Sequence, residues 1–120
     1  MSHLLIVEDD ESVRTFTARA LAAAGHKVET AVDGAEGLNR IAASGGAYDL
    51  VLSDIRMPVM DGLEMAGTAS RSYPGLRILM MTGYAEQRER AAELDGAVIG
   101  VVNKPFTLKE IRDRVAQALA

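Results

Sequence analysis

Five short islands in this 120-residue chain carry side chains able to do chemistry: Glu8-Asp9, Asp54, Asp61-Gly62, Thr82 and Lys104-Pro105. Two adjacent acids supply hard oxygen ligands for a divalent cation. Asp54 is a separate carboxylate and a candidate nucleophile, Thr82 offers a hydroxyl, and Lys104 offers a fixed ammonium. A carboxylate attacks phosphorus poorly, because both groups are negative. A cation held by Glu8 and Asp9 would relieve part of that repulsion. Lys104 and Thr82 would cover the oxygens of the group in transit, where positioning and positive charge do most of the work. The set therefore suits transfer of a phosphoryl group to an aspartate. Crowding of like charge at Glu8, Asp9 and Asp54 is expected to raise their affinity for protons unless a cation intervenes. Taken singly the islands say little, since adjacent acids, a strand-end Asp or a Lys before Pro are ordinary surface features.

Each island follows a strand-like run or closes the loop behind one. The runs are Leu4–Val7, Lys27–Ala31, Leu50–Ser53, Arg77–Met81 and Ala97–Val102. The first, third and fourth are nearly continuous apolar segments, as expected of strands covered on both faces. Helical spacing fills the gaps, with Val13, Phe16, Ala20 and Ala24 as one stripe and Leu108, Ile111, Val115 and Leu119 as another. Asp33, Asp61 and Thr107 each precede a glutamate by three residues, the signature of a capped helix start. Asp10 reads as the cap of the first helix. Gly25, Gly45-Gly46 and Gly96 suit helix ends or turns, and Pro74-Gly75 stops the third helix. Strict strand–helix alternation with short connections implies an α/β fold, a five-stranded parallel doubly wound sheet. Ligands of such sheets bind outside the carboxyl ends of the strands. The islands, far apart in sequence, would meet there.

Composition narrows the function. Thirteen basic and seventeen acidic residues leave a formal charge of −4, which argues against nonspecific nucleic-acid or anionic-membrane binding. Aromatic residues are 4% of the chain and Trp is absent, so platforms for stacking bases are not expected. The absence of Cys excludes thiol chemistry and disulfides and suits a cytoplasmic protein. No apolar run is long enough to span a membrane, and the amino terminus lacks a signal-peptide pattern. His3 and His26 read as structural or solvent-facing, and Met57, Met60, Met80 and Met81 as core or loop packing. Gln87 to Arg90 read as a solvated helix face beside a surface suited to partners.

With these residues in view, the whole chain resembles a receiver domain of a bacterial two-component response regulator. The matching segments are residues 5–11 (LIVEDDE), 54–62 (DIRMPVMDG), Met81-Thr82-Gly83-Tyr84 and Lys104-Pro105-Phe106. The resemblance implies a flavodoxin-like receiver over residues 1–120, with strand order 2-1-3-4-5. Asp54 would accept a phosphoryl group from a histidine kinase or histidine phosphotransfer protein. Mg²⁺, or Mn²⁺, would sit on Asp9 and Asp54, with Glu8 acting through water and the Arg56 backbone carbonyl completing the set. Thr82 and Lys104 would contact the phosphoryl oxygens, and Lys104-Pro105 would be a cis peptide, which proline permits.

Two features depart from the common receiver pattern. Val101 stands where receivers commonly carry a switch aromatic, three residues before the lysine. Tyr84 instead follows Thr82 by two, which resembles single-domain, CpdR-like adaptor receivers with a Thr-Gly-aromatic sequence. A switch is therefore expected to run through Tyr84, and bulky Arg56 and Tyr84 are expected to shield the acyl phosphate from water. The chain reads as ending at Ala120 without an output domain. Output would then pass through a downstream protein, such as a protease or kinase adaptor partner, or through onward phosphotransfer. The protein would be a monomer or weak dimer, and no enzyme beyond its own phosphorylation and slow dephosphorylation. Competing readings are a small Mg²⁺-dependent aspartyl-phosphate hydrolase, a flavin-binding module of the same fold, and a constitutive binding module with a degenerate site. The hydrolase reading lacks an Asp-x-Asp after the first strand and a cap segment; the flavin reading lacks a phosphate loop there.

Overall fold

A computed structural model of the chain describes residues 2–93 and 96–120. Among the described residues five strands and five helices alternate. The order is β1 (His3–Val7), α1 (Glu11–Ala23), β2 (Lys27–Ala31), α2 (Gly34–Ala43), β3 (Leu50–Asp54), α3 (Gly62–Ser72), β4 (Ile78–Thr82), α4 (Ala85–Ala92), β5 (Gly100–Asn103) and α5 (Leu108–Leu119). All neighbouring strands are parallel, in the order β2-β1-β3-β4-β5.

Alternation along the central strands builds the two halves of the core. Leu4 and Ile6 of β1 face one side of the sheet with Leu50, Leu52, Leu79 and Met81, packed under Ala20 and Leu21 of α1 and Ile111 and Val115 of α5. Leu5 and Val7 face the other side with Val51, Ile78 and Met80, beneath Ile41 of α2, Met65 and Ala69 of α3 and Ala91 of α4. Strands buried on both faces explain the unbroken apolar runs in β1, β3 and β4. Truncating any one fully buried Leu or Ile here to Ala is expected to cost about 2–5 kcal/mol.

The caps form where the sequence places them. Asp10, Asp33, Asp61 and Thr107 each accept from a backbone N–H three residues on, and Thr107 with Glu110 makes a full capping box. Four strands differ from the sequence expectation: β1 starts one residue earlier, at His3, and β3 runs one residue further, to Asp54. β4 is shifted one residue forward, so Thr82 ends the strand rather than following it. β5 begins at Gly100, not Ala97; Val98 makes only an isolated bridge and Ile99 is 48% exposed. In α1 the buried residues are Thr17, Ala20 and Leu21, while Phe16 is 42% exposed and Ala24 is the exposed carboxyl cap.

Candidate functional site

Register brings the islands together. Val7 pairs with Ser53, Asp54 with Met81, and Thr82 with Asn103, so β1, β3, β4 and β5 finish within about a residue of one another. Glu8-Asp9 leaves β1, Asp54 ends β3, Thr82 ends β4 and Lys104 follows β5. Backbone bonds extend the ladder past the strand ends, from Glu8 N to Ala31 O (3.0 Å), Ile55 N to Met81 O (3.2 Å) and Lys104 N to Thr82 O (3.0 Å). The side chains that could do chemistry therefore stand on rigid backbone. The Lys104-Pro105 bond is cis.

At the centre lies one ammonium between two buried carboxylates. Lys104 Nζ donates to Glu8 Oε1 at 2.7 Å and lies 3.3 Å from Asp54 Oδ2. The backbone N–H of Ile55 donates to Asp54 Oδ1 (2.9 Å) and that of Asp10 to Glu8 Oε2 (3.1 Å). Glu8 is fully buried and Asp54 is 7% exposed, whereas Asp9 is open to solvent. Burial dominates their titration. It pushes Glu8 up to about 7 although Lys104 opposes the rise, and it holds Asp54 above the usual carboxylate range against the same ammonium. Burial also works against the charge on Lys104, but Glu8 and Asp54 outweigh it and its pKa rises. One oxygen from each of Glu8, Asp9 and Asp54 lies within 4.8 Å of the others. An all-oxygen set of three carboxylates, with one cation beside it, fits a hard divalent ion such as Mg²⁺.

Around this centre a cleft of about 810 Å³ is lined by Asp54, Lys104, Arg56, Tyr84, Phe16 and Phe106, among others. The Arg56 guanidinium lies 5.2 Å from the centroid of the Tyr84 ring, a cation–π contact across the cleft wall. Tyr84 is 50% exposed, and its backbone N–H donates to Thr82 Oγ1 at 3.1 Å. The Thr82 hydroxyl thus accepts from the chain and keeps its own proton to donate. Thr82 itself is buried and does not line the cleft. Val101 packs against the α2–α3–α4 side of the core, as a plain packing residue would.

Several contributors escape the sequence reading. Arg14 reaches back from α1 to the carbonyls of Glu8 (2.9 Å) and Asp9 (3.4 Å) and so fixes the acid pair. Ser53 is buried beside Asp54 and donates to its carbonyl at 2.9 Å. Gly62, singled out in the sequence beside Asp61, must be glycine for a reason the sequence does not show: a Cβ there would stand 2.1 Å from the Asp54 carbonyl oxygen. Gln87, expected on a solvated face, is buried and accepts from Arg90 at 2.8 Å. Of Arg14, Ser53 and Gln87, Arg14 alone left a trace in sequence, a basic residue one turn inside the helix that follows the acids.

The sequence and the fold match known proteins. The response regulator receiver domain family matches residues 4–116. The chain belongs to that family. Among curated relatives, the sensor kinase CckA of Brucella abortus is 34% identical over 116 residues, which are 97% of this chain and 12% of the kinase. The transcriptional regulatory protein TcrA of Mycobacterium tuberculosis is 36% identical over 112 residues, 93% of this chain and 44% of that protein. This receiver thus spans less than half the length of either relative. Among solved structures, the chemotaxis response regulator CheY4 of Vibrio cholerae superposes with a TM-score of 0.87 at 30% identity, over 99% of both chains. The response regulator TrrA of Thermotoga maritima, solved in complex with Mg(2+)-BeF, gives 0.88 at 31% identity over 99% of this chain and 100% of its own.

Proposed function

We propose that the receiver accepts a phosphoryl group on Asp54 from a phosphohistidine donor, a histidine kinase or a histidine phosphotransfer protein. The observation that carries this reading is the Asp54 carboxylate at the edge of a cleft, 3.3 Å from Lys104 and grouped with Glu8 and Asp9. An Asp54 oxygen attacks the phosphorus, an O–P bond forms, the P–N bond breaks, and the imidazole leaves with the electron pair and takes up a proton. Lys104 stays protonated throughout and is placed to meet negative charge on the phosphoryl oxygens. Thr82, whose hydroxyl accepts from Tyr84 N–H and keeps its proton to donate, would reach one of them by turning from its buried position toward the cleft.

Glu8, Asp9, Asp54 and the carbonyl of Arg56 would hold Mg²⁺, or Mn²⁺. When bound, the ion supplies charge neutralisation between nucleophile and phosphoryl group. Arg56 and Tyr84, stacked at the wall of the cleft, limit the approach of water to the acyl phosphate and lengthen its life. Output follows from protein binding that depends on phosphorylation, or from onward transfer. The chain processes no substrate beyond its own phosphoryl group.

Intact mass after incubation with acetyl phosphate and Mg²⁺ tests the proposal, comparing the protein with an Asp54→Ala variant. One added phosphoryl group, dependent on Mg²⁺ and missing from the variant, is expected. An adduct of equal yield in Asp54→Ala would move the acceptor elsewhere. No adduct, together with no Mg²⁺-dependent binding of beryllium fluoride, would mark a degenerate site.

A further inference from the structure

Helix α4 is the least anchored of the five described helices. It buries two residues, as α5 does, but they are Gln87 and Ala91 where α5 buries Ile111 and Val115. Its amino cap, Tyr84, makes no side-chain cap bond, while α5 has a full capping box. Beyond Ala91, which reaches the core, what holds it is polar. Arg90 donates through Nη1 to Gln87 Oε1 at 2.8 Å and through Nη2 to Asp61 Oδ2 at 3.3 Å. Arg88 pairs with Asn103 at the end of β5.

Asp61 is an unusual anchor, because it belongs to the phosphoacceptor segment. Its Oδ1 caps α3 through Glu64 N (2.8 Å) while its Oδ2 takes Arg90. The adjoining Gly62 N–H donates to Ile55 O at 2.8 Å, and Gly62 is seated so close that any Cβ would strike the Asp54 carbonyl. The Asp61-Gly62 corner therefore rides on the backbone of Asp54 and Ile55. A shift of that backbone carries the corner with it, and tight packing leaves no slack to absorb the movement.

We propose that Arg90 couples α4 to the phosphoacceptor segment, so that a change at Asp54 reaches α4 through Gly62, Asp61 and the Arg90 guanidinium. This rests on the reading of Asp54 as the group whose state changes. Asp61 thereby has two duties, capping α3 and docking α4, and the bifurcated arginine joins loop and helix as one unit. Partly exposed pairs of this kind shift a local equilibrium only about two- to five-fold. That suffices for a helix with little buried surface, whose opening is set by few contacts.

Amide hydrogen exchange of the full chain tests the coupling, using Arg90→Gln, Asp61→Asn and the double variant. Asn keeps a side-chain oxygen for the α3 cap and removes the charge. Without any ligand, each single variant should speed exchange in residues 85–92 about two- to five-fold, with α1 and α5 unchanged. The double variant should go no further than Arg90→Gln, which already breaks the Asp61 link and in addition loses the bond to Gln87. Exchange in α4 unaltered by Arg90→Gln, or single effects that multiply in the double, would overturn the proposal. Adding Mg²⁺ and beryllium fluoride separates the two readings. Protection around residues 54–56 in every variant, with an α4 response in the unaltered protein alone, supports both; an equal α4 response in Arg90→Gln overturns the coupling while leaving the site intact. No protection at residues 54–56 speaks against the phosphoacceptor reading, and the ligand-free comparison still decides the Arg90–Asp61 link.

Discussion

Two clusters of charge flank the sheet, and they are built on opposite terms. On the edge strand, Glu29 in the middle of β2 is saturated: it pairs with His3 at the amino end of β1, accepts from the Tyr48 hydroxyl at 3.1 Å and from Arg40 at 3.5 Å. The His3 ring lies 4.7 Å from that of Tyr48, and the His3 backbone N–H donates to Asp49 at 2.7 Å. At the carboxyl ends, Glu8 and Asp54 share one lysine and Asp9 stands beside them without it. Their titration runs in opposite directions. Burial opposes ionisation of Glu29, but His3, Tyr48 and Arg40 overcome it and hold the carboxyl below its usual range. Glu8 and Asp54 are held above theirs. A saturated cluster holds structure together. A cluster left short of positive charge stores an electrostatic deficit that a ligand can relieve, and that deficit marks the functional end.

The sharpest way to break the contrast is to remove the one cation. Lys104→Met should slow phosphoryl uptake from acetyl phosphate by roughly a hundred-fold, the loss expected when one preorganised charge at a reacting centre disappears. Initial rates of mass gain measure it. An unchanged rate would show that Lys104 serves only to neutralise Glu8.

Next comes pH. Glu8 titrates near 7 in the fold against an ordinary value of 4.5, so between these values the folded chain keeps a proton that the unfolded chain has released. Its contribution to stability is therefore lost as pH rises from about 4.5 through about 7. Glu29 has the opposite sign: its contribution is present above its ordinary value and is lost as pH falls through its depressed pKa. Thermal unfolding of the metal-free protein should show a midpoint that declines from mildly acid to alkaline pH, flattened by Glu8→Gln, and a separate acid limb removed by Glu29→Gln. A single limb untouched by Glu8→Gln would erase the distinction between the clusters.

A smaller effect concerns the wall of the cleft. Arg56→Ala or Tyr84→Ala should shorten the acyl-phosphate lifetime about two- to five-fold, in line with a partly exposed cation–π contact and the cover it provides. Decay followed by mass at fixed pH would show it, and identical decay in both variants would remove the shielding role. Smallest is Tyr48→Phe, which keeps the ring contact with His3 and deletes the bond to Glu29. It should destabilise by about 0.5–1.5 kcal/mol in denaturant unfolding and leave phosphoryl uptake untouched.

The functional end was more legible in sequence than the packing behind it. Glu8, Asp9, Asp54 and Lys104 announce themselves because parallel strands must end together, so residues after apolar runs converge without knowledge of contacts. Boundaries at the sheet edge were less plain. Val98 and Ile99 have strand chemistry, but they follow the left-handed turn at Gly96 (φ +95°) and precede the β5 pairing, which starts at Gly100. Phe16 fits a helical stripe by spacing, yet α1 turns Thr17 and Leu21 inward and leaves Phe16 on the cleft rim, 6.3 Å from Phe106. Spacing also had no means of showing that Arg90 reaches Asp61 across 29 residues, or that Gln87 is buried beneath it. Long side chains choose partners in three dimensions, and periodicity carries no record of that choice.

The carboxyl-end acids form a charge deficit that a cation relieves. The most direct test is the thermal midpoint at pH 8 as Mg²⁺ is added, for the unaltered protein, Asp9→Asn and Glu29→Gln. The midpoint should keep rising with the logarithm of Mg²⁺ concentration, with a gain of about 2.7 kcal/mol at a hundred times the dissociation constant. Asp9→Asn should lose most of that rise, while Glu29→Gln should keep it in full. A midpoint indifferent to Mg²⁺, or an equal rise in Asp9→Asn, would contradict the account.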